Sequence, residues 1–296
     1  MAGTATCSPA RLKNILVATD YSPVSSRAIS FAGALASRFD TRLYALHAGE
    51  LVNYALPVQR WKESAEALRI SAEQLARVLS KSFPGVESEI LEGEGPVGKV
   101  IQRACGEKNI DLLVLGTRGR TGFAKLLLGS VAEEMLRRAP CPVLTLGPCA
   151  QSWDELGWEG AEILYATDFS PEAHAAAQHA VAWANDFGAR LTLLHVLDDG
   201  AHLNFGRPQE SAEAARRQLE HLLPRDGERG AARHLMVERG VPGEKIVETA
   251  ESIGAALIVI GARGATGYAG TATHFSGSTL HKVIARAPCA VLSVRE

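Results

Sequence analysis

Two short loop sequences carry the residues best suited to chemistry. The first, Thr19-Asp20-Tyr21-Ser22-Pro23, follows the apolar run Ile15 to Ala18 and supplies a carboxylate. The second opens with Gly116-Thr117-Arg118-Gly119 and, after nine further residues, reaches Gly129-Ser130 at the head of a helix-period segment. Glycines let a backbone approach an anion closely and adopt positive φ, while a helix starting near Ser130 offers unpaired N–H groups and the positive end of its dipole. With the Ser130 hydroxyl added, the second loop reads as a phosphate cradle. It is not of the Walker type, because no G-x-x-x-x-G-K-[ST] occurs. Asp20 is placed to hold a ribose hydroxyl or an adenine edge, or to complement a helix dipole.

Both loops recur later in the chain. Asp168 stands in Thr167-Asp168-Phe169-Ser170-Pro171, and Gly261 and Gly264 are followed, after twelve residues rather than nine, by Gly277-Ser278. Three extra residues add roughly 10 Å of chain, so these glycines need not converge on one phosphate. The first loop carries Arg120 and Lys125 as partners for phosphate charge. Its counterpart, 265–276, has no Lys or Arg and adds Gly270 and His274, which leaves room for a different ligand held by Arg263, Tyr268 or His274.

Structural readings compete with these. Ser130 and Glu133 spell an S-x-x-E capping box. Ser22-Pro23 and Ser170-Pro171 read as helix N-caps with proline in the first turn. His47 and His195 end equivalent strands with no metal-ligand partner at the usual spacing, and read as satisfied structural residues. The five cysteines have no C-x-x-C or Cys/His spacing. They read as mostly buried reduced thiols, with Cys141 and Cys289 packing at the start of a last strand.

The elements that must position these residues come in two copies. ILVATDYSP from Ile15 returns as ILYATDFSP from Ile163, with seven of nine positions identical, and RAPCPVLTL from Arg138 returns as RAPCAVLSV from Arg286; both pairs are offset by 148 residues. Within each unit short apolar runs alternate with helix-period segments, the pattern of βαβ units on a parallel sheet. In the first unit the strands are expected at 14–19, 41–47, 86–91, 110–116 and 142–146, with helices at 23–38, 58–82, 97–107 and 130–138. The fold class is α/β: two tandem doubly wound, five-stranded parallel-sheet domains, Rossmann-like, over residues 1–150 and 151–296, joined by a link from Gly147 to Gly160. In such sheets ligands sit beyond the strand ends where the strand order reverses, which puts the two loops at one site. The final strands are sheet edges, and pairing them would cover both.

Composition narrows the partners. The 31 Lys plus Arg nearly balance 33 Asp plus Glu, so no field steers the chain towards nucleic acid or an acidic membrane. No basic start with an apolar h-region and no membrane-length apolar run is present, and a cytoplasmic location is the expectation.

The A-T-D-[YF]-S-P strand end, the G-x-x-G, nine residues and G-S, and the final A-P-C-x-V-L strand together resemble the universal stress protein family, over nearly the whole chain in two copies. The resemblance implies an adenine nucleotide α-hydrolase-like fold and ATP bound at the nucleoside end by Asp20 and by Ala48, the residue after His47. It implies phosphates held by Gly116, Gly119, Gly129, Ser130 and Val131. In the second half the corresponding residues are Asp168, Val196, Gly261, Gly264, Gly277 and Ser278, where the altered spacing points to a remodelled or weaker site. Mg²⁺ is expected to arrive with the nucleotide, the two halves to pair within the chain as single-domain relatives pair between chains, and a homodimer is a further expectation. A stress-response role as an ATP binder is the leading reading. Slow ATP hydrolysis is the alternative, although neither S-G-G-x-D-S nor H-I-G-H occurs, and a ligand-free dimerisation scaffold is a third.

Overall fold

Runs such as Leu112 to Leu115 and Ile163 to Ala166 are apolar at every position, which only a strand covered on both faces requires. The structure, a computed structural model, describes residues 8–49, 72–117, 128–151, 158–198, 211–222, 233–262 and 278–295. In the first half these form β1 (Asn14–Ala18), α1 (Pro23–Phe39), β2 (Arg42–Gly49), a helix α2 over 72–82, β3 (Ser88–Glu94), α3 (Val97–Glu107), β4 (Leu112–Gly116), α4 (Ser130–Arg138) and β5 (Val143–Leu146). The second half repeats the order: β6 (Glu162–Thr167), α5 (Pro171–Phe187), β7 (Arg190–Leu197), α6 (Ala212–Leu222), β8 (Arg233–Arg239), α7 (Pro242–Ser252), β9 (Ala255–Gly261), α8 (Thr279–Arg286) and β10 (Ala290–Val294). Strand boundaries differ from expectation by a few residues; β3 runs to Glu94 because it follows β2 in register out to Gly49.

The ten strands among the described residues form one sheet in the order β3-β2-β1-β4-β5-β10-β9-β6-β7-β8. Within each half the pairing is parallel. The two halves meet through β5 and β10, which pair antiparallel with Thr145 opposite Val291, Leu144 opposite Leu292 and Val143 opposite Ser293. Leu292 is the repeat counterpart of Leu144, so a pseudo-two-fold axis passes through this pair, as expected from covering both edges.

Side chains alternate between two cores. Ile15, Val17, Leu112, Val114, Leu144 and Leu292 face α1, α2, α5 and α6, whereas Leu16, Leu113, Leu115, Val143 and Val291 face α3, α4, α7 and α8. Each core contains residues of both halves. On the first face the link contributes Trp158, 5% exposed, whose ring stacks on Phe187 with centroids 4.2 Å apart and meets Phe31 edge-on at 6.0 Å. Phe39 meets Phe187 edge-on at 5.3 Å, so α1 and α5 share an aromatic contact across the seam. Arg27 Nη1 donates to the carbonyl of Pro148 at 2.6 Å, and Ser8 Oγ donates to Asp186 Oδ2 at 2.5 Å, tying both ends of the first half down. Among the described residues no helix is long and apolar enough to cross a membrane.

On the second face α4 and α8 lie near one another. His281, the repeat counterpart of Glu133, is 5% exposed. Burial holds its imidazole below the usual histidine range, against an opposing pull from the charge of Glu133. The folded state therefore binds this proton less readily than the unfolded chain, so the stabilisation is present above the ordinary histidine value of about 6.5 and is lost as pH falls below it. We expect the urea midpoint to drop between pH 7.5 and pH 5.5, and to drop less in a His281→Gln variant; equal pH dependence in the two proteins would exclude His281 as a source.

Candidate functional site

The loop after β1 is built almost entirely from its own hydrogen bonds. Thr19 N donates to Leu46 O at 2.9 Å, which keeps the strand end in the sheet. Tyr21 then turns through the left-handed region, φ 61°, unusual for a non-glycine residue. Its N–H donates to Thr19 Oγ1 at 3.0 Å, and Ser22 N donates to Asp20 Oδ1 at 3.0 Å. Ser22 Oγ accepts from Ser25 N at 3.2 Å, capping α1 with Pro23 in its first turn. The His47 Nδ1–H donates to Thr19 O at 2.8 Å, and the ring lies 4.6 Å from that of Tyr21.

The second half reproduces this loop. Phe169 has φ 58°, Phe169 N donates to Thr167 Oγ1 and Ser170 N to Asp168 Oδ1 at 3.0 Å each, Ser170 caps α5, and His195 Nδ1–H reaches Thr167 O at 2.9 Å under the Phe169 ring. The serines and histidines are thus structural, as their types suggested. Each aspartate commits one oxygen to an Asx turn that shapes the loop. Asp20 is half-buried whereas Asp168 is exposed.

The strand order places these loops at the reversal point. β1 is flanked by β2 on one side and β4 on the other, with Ala18 opposite Leu46 and Leu115. Asp20, just past β1, therefore lies between the end of β2, which carries Ala48, and the end of β4, which carries Gly116. Asp168, just past β6, lies likewise between the strand ends that carry Val196 and Gly261. Ala48 and Val196 are both half-buried, and their side chains pack towards the α3/α4 and α7/α8 face.

Gly116 has a packing reason of its own. A Cβ there would lie 3.2 Å from Ser25 N and 3.1 Å from Val24 Cγ1; at Gly261 it would lie 2.6 Å from Ala173 N. These glycines let the strand end touch the first turn of α1 or α5, and neither they nor Gly129 has the positive φ that a glycine cradle led us to expect. The base of the glycine loop is closed by Thr117, whose N donates to Leu146 O and whose carbonyl accepts from Gly129 N, both at 2.9 Å. Thr117 is 2% exposed and its hydroxyl has no partner among the described residues. Sequence reasoning passed over this residue; its replacement by Ala262 in the other half is the signal that marked it.

The expected Ser130 capping box does not form. Gly129 is the N-cap of α4, Ser130 is its first residue and is exposed, and among the described residues nothing takes the Ser130 hydroxyl. Glu133 instead pairs with Arg137 at 3.6 Å. Among the described residues no side chain caps the first N–H groups of α4, those of Ser130 and Val131 included, and a helix start of this kind can take an anion. α8 differs: Ser278 is the N-cap, and its hydroxyl accepts from His281 N at 3.2 Å. The serine that stands outside the cap in the first half is used for it in the second.

Gly119, Gly264 and Gly277 lie outside the described residues, as do Arg118, Arg120, Lys125, Arg263, Tyr268, Gly270 and His274. Among the described residues no group of three or more His, Cys, Asp or Glu is gathered as a metal site. A cavity of about 620 Å³ in the second half is bounded by Phe169 and His174 of the α5 start and by Arg217 and His221 of α6, apart from the α8 start.

The profile of the universal stress protein family matches residues 11–146 and again 161–295. A universal stress protein of Methanocaldococcus jannaschii is 34% identical over 140 residues, 45% of this chain and 81% of that protein. One of Mycolicibacterium smegmatis is 27% identical over 291 residues, 95% of this chain and 96% of its own. The crystal structure of a universal stress protein from Archaeoglobus fulgidus superposes with a TM-score of 0.74 at 25% identity, over 96% of this chain and 99% of that one.

The close strand–helix approach makes the two strand-end glycines separable by stability. Gly261→Ala forces backbone apart and should cost about 1–3 kcal/mol in denaturant unfolding. Gly116→Ala should cost less. Gly106→Ala, on the exposed side of α3 with nothing within 4 Å of the added carbon, should stabilise by about 0.5–1 kcal/mol. Equal effects at Gly261 and Gly106 would refute the packing role.

Proposed function

We propose that this chain, which belongs to the universal stress protein family, is a cytoplasmic stress-response protein that binds ATP in its first half, at the reversal point between β1 and β4. The observation that carries this reading is the start of α4. Among the described residues no side chain caps its first N–H groups, and the Ser130 hydroxyl stands exposed, beside the strand end that carries Gly116. An anion at that position completes the helix terminus, and the dipole favours it. The nucleoside end of the ligand then falls over β1 and β2, where Asp20 offers its carboxylate and Ala48 a small half-buried surface. Gly119, Gly129, Ser130 and Val131 surround the phosphates, and Mg²⁺ enters as a companion of the nucleotide rather than on a protein site of its own. This assignment takes residues 1–150 as the ATP-binding domain.

The second half, residues 151–296, keeps Asp168, Val196, Gly261 and Ser278 on equivalent elements, with Gly264 and Gly277 in its longer loop. Its helix start is already capped by Ser278, and its aspartate is exposed. Both features favour a weaker site. Losing Arg120 and Lys125 removes two cationic contacts, each worth about 1–3 kcal/mol if charge-assisted, so affinity lower by tenfold to several hundredfold is in keeping with the change.

Titration calorimetry of the full chain with ATP should give a stoichiometry near one at the tighter site. Gly129→Asp should abolish that binding with the fold retained, because the Gly129 backbone (φ −65°, ψ 146°) suits aspartate, which would cap α4 with the negative charge placed where phosphate belongs. Unchanged affinity in the variant would overturn the site, and two matched affinities would overturn the asymmetry. Nucleotide released on denaturing the purified protein should be intact ATP; ADP or AMP alone would favour turnover.

A further inference from the structure

Away from the loops, at the opposite end of the sheet, two thiols meet. Cys105 lies in the last turns of α3 and Cys141 two residues before β5, yet the two thiols share a hydrogen bond. The backbone holds both at the start of β4: Ile110 N donates to Cys105 O at 3.0 Å, and Leu113 N donates to Pro142 O at 3.0 Å. Cys105 is 2% exposed within the second core, while Cys141 packs against the same core from a half-exposed position.

The repeat supplies a control. Cys289 is the counterpart of Cys141, but α7 carries Ala250 where α3 carries Cys105. Cys289 is 2% exposed, and burial pushes its thiol up to about 12, so it remains a protonated packing group. The first half alone adds a second sulfur to that position.

We infer that Cys105 and Cys141 form a thiol-oxidation site, which a peroxide converts reversibly into a disulfide across the first half. The half-exposed Cys141 sulfur takes an oxygen from hydrogen peroxide, giving a sulfenic acid and one water. The Cys105 thiolate then attacks that sulfur, the S–S bond forms and hydroxide leaves. A dithiol reverses it, reducing both sulfurs and becoming a disulfide itself. In the reduced pair the hydrogen bond from Cys141 holds the Cys105 thiol below its ordinary range, against the opposing effect of burial. The closed ring takes in β4, the glycine loop and α4. It limits the unfolded chain more than the folded one, so the oxidised first half should resist unfolding.

Peroxide treatment of the full-length reduced protein, followed by alkylation, digestion and mass spectrometry without reduction, tests this. We expect a cross-linked Cys105–Cys141 peptide that disappears with dithiothreitol, with Cys289 unoxidised. The urea midpoint of the oxidised protein should exceed that of the reduced one. In Cys105→Ala, which copies Ala250 of the second half and so suits the fold, the cross-link and the midpoint shift should vanish, and Cys141 should proceed to sulfinic acid. Wild-type protein whose Cys141 reaches sulfinic acid while Cys105 remains open to alkylation under denaturing conditions would overturn the inference. So would disulfides confined to the exposed Cys149 of two chains.

Discussion

The pairing of β5 with β10 is the constraint on which the rest of the molecule depends. A five-stranded parallel sheet whose last strand is buried along its whole length leaves a row of N–H and C=O groups that water reaches poorly, and those groups must find partners. Here each half supplies the partner for the other. Because the register sets Leu144 against its own counterpart Leu292, the two halves face each other symmetrically. Everything beside the seam is then doubled: α1 meets α5 through Phe39 and Phe187, and Glu133 lies near His281 on the opposite face. Trp158, from the link, fills the aromatic contact on one side.

With the frame fixed, the insertions and deletions that separate the halves fall in connections. β7 keeps the 148-residue offset from β2, but β8 is offset from β3 by only 145, as the registers Leu43–Ser88 and Leu191–Arg233 require. The connection between them has lost three residues. The glycine loop after β9 gains three, so that α8 and β10 return to the original spacing. Strand lengths and cores scarcely register these changes, because they fall where no ladder hydrogen bond is interrupted. The helix starts at the candidate sites do register them: α4 begins after Gly129 with Ser130 exposed, and α8 begins after a capping Ser278.

What was legible in the sequence follows from which interactions are local or periodic. Alternation of apolar runs with helix-period segments gave the strands and helices, and internal repetition gave the two units and, through the edge argument, their pairing. Proline after serine announced the caps at Ser22 and Ser170 correctly. The S-x-x-E at Ser130 carried the same local signal and was misleading, because the Thr117–Gly129 backbone bond closes the loop one residue earlier and makes glycine the cap. The left-handed Tyr21 and Phe169 were not legible, since no propensity predicts positive φ for an aromatic residue. They are held there by the preceding threonine hydroxyl and the following Asx turn. Gly116 and Gly261 were read as ligand glycines, whereas an observable demand on them comes from the helix turn against which they lie.

That last point bears on how a binding loop and a fold can share residues. Asp20 uses Oδ1 to shape the turn that starts α1, and Gly116 lets β4 reach the first turn of the same helix. Asp168 and Gly261 serve the fold in the same way in a half whose loop has changed in length. Ser130 differs in kind, since its hydroxyl contributes to no cap and no contact among the described residues. Among the described residues, no hydrogen bond of the fold accounts for that hydroxyl. At Ser278 the equivalent hydroxyl instead caps α8. The distinction between the halves therefore rests on the helix starts and on the exposure of the aspartates, not on the strand-end glycines that they have in common.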